Sequence, residues 1–152
     1  MIPKENNNMA RGFTITETIN RPAAEVWSYL TDFSHATDWM DGIDDIIQLT
    51  PGKIGVGTGF NFYTRGRMYQ TEITTYDPDS HTIALTSKQG NVEATYTYAL
   101  TEKEHAVAEI SMHITCQASG LMAFLQPLLL WIMKRTDSSQ LANLKAALAA
   151  HG

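Results

Sequence analysis

Apolar and polar positions alternate through most of this chain, and near its end the alternation gives way to helical spacing. Phe13, Ile15, Glu17 and Ile19 interleave with Thr14, Thr16, Thr18 and Asn20, which predicts a half-buried first strand. Asn20-Arg21-Pro22 stops it, and AAEVWSYLTD after Pro22 reads as a helix with proline at its start and Val26, Trp27 and Leu30 on one face. A second short helical turn is expected from Phe33 to Trp39. Strand-like runs follow at Ile43 to Thr50, Gly59 to Thr64, Arg67 to Tyr76 and His81 to Ser87, separated by Pro51-Gly52, Arg65-Gly66, Asp77-Pro78-Asp79 and Gly90-Asn91. Val92, Ala94, Tyr96, Tyr98 and Leu100 make one further alternating face, and Ala106 to Cys116 makes another. The connections are short, so consecutive strands should pair as antiparallel hairpins.

Residues 119 to 150 then read as one long helical segment, with Leu130, Met133, Leu141, Leu144 and Leu148 on a single stripe. Leu128, Trp131 and Ile132 fall on a different side, so the first half is apolar nearly all round and should be covered on two faces. The sheet can cover one face; the short helices or a partner subunit must cover the other. Pro127 implies a helix start or a kink. A long helix closing an antiparallel sheet must lie across it, an arrangement that tends to leave a cavity between the two.

Composition narrows the class without naming a chemistry. A chain of 152 residues is one domain by default, and it is long enough to bury roughly two thirds of its unfolded surface. The expected division is a polar N-terminal extension at residues 1–11 followed by a single ligand-binding domain at 12–152. The net charge of −5 disfavours nucleic acid and anionic membrane as partners. The lone Cys116 cannot form an internal disulfide and fits a reducing cytoplasm, where it reads as a small core side chain. The N-terminus carries no apolar signal-like run, and Leu121 to Met133 is shorter than the roughly 20 residues a membrane span needs, so stable membrane insertion is not expected.

Three stretches, TITETINRPAAEVWSYLTDFSHATDWMDGI, PGKIGVGTGFNF and LLLWIMKRTDSSQLANLKAAL, occur in this order. Together they resemble the polyketide cyclase/dehydrase family, which shares a superfamily (SRPBCC) with the lipid-transfer START domains and the birch pollen allergen. The resemblance covers about residues 12 to 150. It implies an α+β helix-grip fold: a curved antiparallel sheet of about seven strands wrapped around a long C-terminal helix, with two short helices after the first strand. It also implies a deep cavity between sheet and helix. It does not fix the activity, because the superfamily includes cyclases, lyases, lipid carriers, receptors and chaperone cofactors.

The candidate cavity lining is Trp39, Phe62, Tyr69, Tyr96, Tyr98, Met112, Ile114, Met122, Leu125, Leu129 and Met133. Plain core packing accounts for many of these; the tyrosines favour a cavity because a buried hydroxyl needs a partner. Two carboxylates stand on otherwise apolar faces, Glu17 and Asp137. A carboxyl facing a dry cavity can act as a general acid or base, whereas at a rim it is solvated or paired with Arg or Lys. The loop from His35 to Asp45 gathers one histidine and several aspartates but lacks the D-x-D-x-D-G spacing, so it reads as a solvated turn at the cavity mouth, and no metal is expected. Gly55-Val56-Gly57 is no dinucleotide fingerprint, since Phe60 stands where the third glycine would be and a strand follows; no cofactor is expected. Arg65 and Arg67 flank a hairpin turn, where they are exposed or meet an anionic head group.

The expected partner is a hydrophobic small molecule, with a cyclase or dehydratase acting on such a ligand as the rival reading. A homodimer through the C-terminal helix is a third.

Overall fold

The computed structural model describes residues 12–40 and 42–151. Residues 1–11, the expected polar extension, lie outside the described residues. Seven strands form one antiparallel sheet: β1 (Gly12–Ile19), β2 (Asp45–Gln48), β3 (Gly59–Thr64), β4 (Arg67–Asp77), β5 (Thr82–Gln89), β6 (Val92–Glu104) and β7 (Val107–Ala118). Their order across the sheet is β1-β7-β6-β5-β4-β3-β2, so every pair is a sequential hairpin except β1 with β7. Helix α1 (Ala23–Leu30) and a 3-10 turn (Phe33–His35) leading into α2 (Ala36–Trp39) connect β1 to β2. A 3-10 turn (Gly120–Leu125), α3 (Gln126–Asp137) and α4 (Gln140–His151) close the chain. This is the helix-grip fold that the residue pattern and the resemblance both imply.

The sheet curves for identifiable reasons. Along β4 the pairing with β5 shifts between Ile73 and Thr75, a bulge that bends the strand. At the same level Gly57, at φ +96°, donates its N–H to the Ile73 carbonyl at 2.9 Å, and Ile73 donates back to the Thr58 carbonyl at 2.9 Å. Glycine takes this left-handed backbone without the Cβ clash other residues meet. The inward residues of β7 (Ala108, Ile110, Met112, Ile114 and Cys116) are completely buried, and Leu141, Leu144 and Leu148 of α4 join Ile110, Met112 and Ile114 in the core.

The C-terminal segment differs from the single helix read from the sequence. It is two helices, broken at Ser138–Ser139. The run Asp137-Ser138-Ser139 is the cause: short polar side chains compete with the helix for backbone partners. Ser138 Oγ donates to the Arg135 carbonyl at 3.4 Å, and Asn143 N–H donates to the Ser139 carbonyl at 2.9 Å, so the chain turns and resumes. Pro127 sits in the first turn of α3, a helix start rather than a kink. The second cover expected for α3 is absent among the described residues: Leu125, Leu128, Trp131 and Ile132 are 43–57% exposed. The short helix α2 packs against α4 instead. No helix among the described residues is long and apolar enough to cross a membrane.

Candidate functional site

The two terminal helices do not lie centrally on the sheet. α3 packs against β7 and β1, and α4 against β1. The inner surface of β3 to β6 is left partly uncovered, and there a cavity of about 950 Å³ opens. Phe62, Tyr69, Leu85, Ala94, Tyr96 and Tyr98 supply its sheet wall. Met40, Gly42 and Ile43 bound it from the loop before β2, and Met133, Asp137 and Gln140 from the helices. Alternation explains the sheet wall: Ala94, Tyr96 and Tyr98 stand two apart on β6, and Leu85 pairs with Tyr96 on β5.

Where the two helices meet, the wall turns polar. The Tyr96 hydroxyl donates to Asp137 Oδ2 at 2.6 Å, and the Tyr98 hydroxyl donates to Gln140 Oε1 at 2.7 Å. Gln140 Nε2 completes the set by donating to Asp137 Oδ1 at 3.3 Å. The helix break between Asp137 and Gln140 places both side chains over these tyrosines. Tyr98 is held well above the usual phenol range, first by burial and then by the charge of Asp137. Burial also pushes Tyr96 well up, with the Asp137 charge next and its hydrogen bond after that. Both phenols are therefore neutral donors at ordinary pH, set against a carboxylate.

At the opposite end lie Arg65 and Arg67, on the hairpin joining β3 to β4. Thr64 pairs with Arg67, leaving Arg65 and Gly66 as a two-residue turn at φ +52° and +80°. Two left-handed residues define the hairpin turn whose twist suits the flanking strands. For arginine, which has a Cβ, that conformation costs on the order of 1–3 kcal/mol.

Of the residues singled out in the sequence, Phe62, Tyr69, Tyr96, Tyr98, Met133 and Asp137 come together on the cavity wall. Trp39, Met112 and Ile114 do not reach it. Met112 and Ile114 are fully buried on β7, the side of the sheet the helices cover. Trp39 lies behind the wall, its ring edge-on to Tyr98 at 5.8 Å. Leu125 is 43% exposed on the outer side of the helical segment, and half-buried Leu129 is also off the wall. The side chain of Met122 lies outside the described residues. Glu17 faces inward but pairs with Lys145 Nζ at 3.2 Å, tying β1 to α4, and it too is away from the cavity.

Gln140, Leu85, Met40 and Ile43 went unnoticed in the sequence. Gln140 had a usable signal, since it stands three residues beyond Asp137, on the same face of the single helix expected from the sequence.

The profile of the family described as "Polyketide cyclase / dehydrase and lipid transport" matches residues 11–149. The chain belongs to this family. That membership is consistent with hydrophobic ligand binding or with cyclase activity, and it does not choose between them. No curated protein matches the sequence. Among solved structures the chain is similar to the di-domain ARO/CYC BexL from the BE-7585A biosynthetic pathway (TM-score 0.76, 14% identity, 91% of this chain). It spans only 46% of that protein. It is also similar to the Zhui aromatase/cyclase from Streptomyces sp. R1128 (TM-score 0.72, 15% identity, 90% of this chain and 92% of that one). A third is norcoclaurine synthase from Thalictrum flavum, in complex with dopamine and hydroxybenzaldehyde (TM-score 0.72, 13% identity, 96% and 92%). At these identities the likeness is one of fold.

Proposed function

We propose that this protein binds a small hydrophobic molecule in the cavity between β3–β6 and the terminal helices. The observation that carries the reading is the cavity itself: about 950 Å³, walled by Phe62, Leu85, Ala94, Met133 and the rings of three tyrosines. A core that served only stability would close such a space, because each unfilled volume forfeits contacts. A ligand burying about 300 Å² of apolar surface there gains about 7 kcal/mol before association costs, enough for micromolar binding without a catalytic group. Native mass spectrometry of the purified protein, followed by denaturing extraction, tests it. A discrete apolar co-purified mass is expected. Protein that carries nothing, and that also fails to bind the neutral fluorophore N-phenyl-1-naphthylamine, removes the proposal.

The second reading is a cyclase or dehydratase acting on a polyketide-like ligand, and the Tyr96–Asp137–Gln140–Tyr98 cluster is what favours it. A carboxylate on an apolar cavity can take a proton from an activated carbon or hydroxyl of a bound chain, and neutral phenols can hold a carbonyl oxygen in place. The cavity would contribute by folding a flexible substrate into the geometry of ring closure. Of the two carboxylates raised from the sequence, Asp137 alone stands on the cavity, so the catalytic reading rests on it and not on Glu17. Turnover of an aromatic polyketide mimic that Asp137→Asn abolishes, with binding retained, is the expected signature. Equal turnover in both forms sinks this reading.

A further inference from the structure

We propose that the cavity is built for an amphipathic anion: an apolar body carrying a carboxylate, the carboxylate gripped at the rim by Arg65 and Arg67. This rests on the cavity reading above and adds to it a ligand class and an orientation.

Three observations carry it. The first is patterning. Alternation along β4 turns Arg67, Tyr69 and Thr71 to the cavity, with Arg67 exposed at its mouth, and turns Met68, between them and 46% exposed, to the other face. A strand built only for stability would reverse that choice, with methionine inward and arginine out. The second is pairing. The chain holds 16 acidic residues against 11 basic ones, yet the ion pairs among the described residues involve neither Arg65 nor Arg67. The nearby Asp44 accepts from the backbone N–H of Arg65, at 3.0 Å, rather than from its guanidinium. The third is placement. Arg65 occupies a left-handed turn position that asparagine fills more readily, and the turn carries it onto the same cavity as Arg67. Ala106 shares that backbone region in another hairpin, so conformation alone marks nothing; the position at the cavity rim does.

The polar ends of the cavity then set a direction. Ile73 pairs with Leu85, and Leu85 with Tyr96, so the tyrosine–carboxylate cluster lies six residues along β4 from Arg67, about 20 Å of strand. Asp137 repels an anion at that end, while two guanidiniums attract one at the other. Arginine forks match a carboxylate with paired hydrogen bonds, which a neutral hydroxyl cannot reproduce. The apolar body lies between, along Phe62, Tyr69 and Leu85.

Competition against N-phenyl-1-naphthylamine tests this, with decanoate, decan-1-ol and decyl phosphate as competitors. In the wild-type protein decanoate should displace the fluorophore at about tenfold lower concentration than decan-1-ol. In the double variant Arg65→Asn, Arg67→Gln the preference should fall below about threefold. The ratio is read within each protein, so a general change in cavity affinity cancels. Asparagine followed by Gly66 is a favoured sequence for this turn, and a circular dichroism spectrum matching wild type confirms that the variant folds. Acid and alcohol displacing equally in the wild type overturns the clamp and leaves the cavity reading intact. So does a preference that survives the double variant. Decyl phosphate binding tighter than decanoate overturns the carboxylate in favour of a phosphate head. Binding of neither fluorophore nor competitors overturns the cavity reading and the clamp with it.

Discussion

Helices α3 and α4 are neighbours in sequence, similar in length and laid on the same sheet, yet they put their inner faces to different uses. α4 drives Leu141, Leu144 and Leu148 into the core, each at most 1% exposed. α3 turns half-buried Met133 and Asp137 toward a void and leaves Leu128 and Trp131 more than half exposed on its outer side. One helix closes the core; the other packs along β7 and β1 and roofs the cavity beside them. Stability and binding should therefore be separable along a single stretch of chain.

The largest effect expected from this contrast is at Leu144. Leu144→Ala removes a completely buried side chain and should destabilise the fold by about 2–5 kcal/mol in urea unfolding. The protein that remains folded should still bind N-phenyl-1-naphthylamine. Met133→Trp is the complementary change: it fills cavity volume and should weaken fluorophore binding by at least about tenfold while moving stability by less than about 1.5 kcal/mol. If Met133→Trp unfolds the protein as readily as Leu144→Ala does, α3 is core and the contrast between the helices collapses.

A smaller effect concerns the cluster at the junction of the two helices. Tyr96 and Tyr98 are raised in the folded state, while unfolded tyrosines ionise near pH 10. Below that pH their contribution to stability is complete. As pH climbs past about 10 the unfolded chain releases these protons first, so stability falls until the folded values are passed. Urea midpoints measured from pH 8 to 11 should decline, and Tyr98→Phe should flatten the decline. An identical slope in the variant would show that this hydroxyl is not part of a buried network.

The smallest effect belongs to the outer face of α3. Trp131, 57% exposed with the Arg135 guanidinium over its ring at 5.2 Å, should tolerate Ser with a stability change under about 0.5 kcal/mol. Sedimentation velocity of the same variant addresses the expected homodimer. A shift toward smaller species relative to wild type supports dimerisation through this face, and a monomeric wild type removes it.

Much of this was legible in the chain because its signals are local. The limits of β3 follow from Gly59 and the Arg65-Gly66 turn; alternation locates β6 and β7 but ends at Leu100 and Cys116, where the strands continue to Glu104 and Ala118, and it counts Ala106 as strand where the chain turns. The break at Ser138–Ser139 is equally local, but the apolar stripe on either side of it has the spacing of one unbroken helix. The cavity was legible only as a class of residues. Tyr96 and Met112 both sit on alternating inward faces, and period alone treats them alike.

The sequence by itself determined which residues point inward, because side-chain direction follows the period of strand or helix. It also determined the hairpin connections from β3 to β6, because Gly, Pro or Asp marks each turn; His105-Ala106, between β6 and β7, carries no such mark. Which inward residues face the cavity and which meet a leucine was decided by the tertiary structure. The β1–β7 pairing places β7 under the helices and leaves β3 to β6 partly open. The helix break then sets Asp137 and Gln140 over Tyr96 and Tyr98, 41 and 42 residues away in the chain. Pairings across such separations follow from how whole elements pack, and no periodicity within one element encodes them.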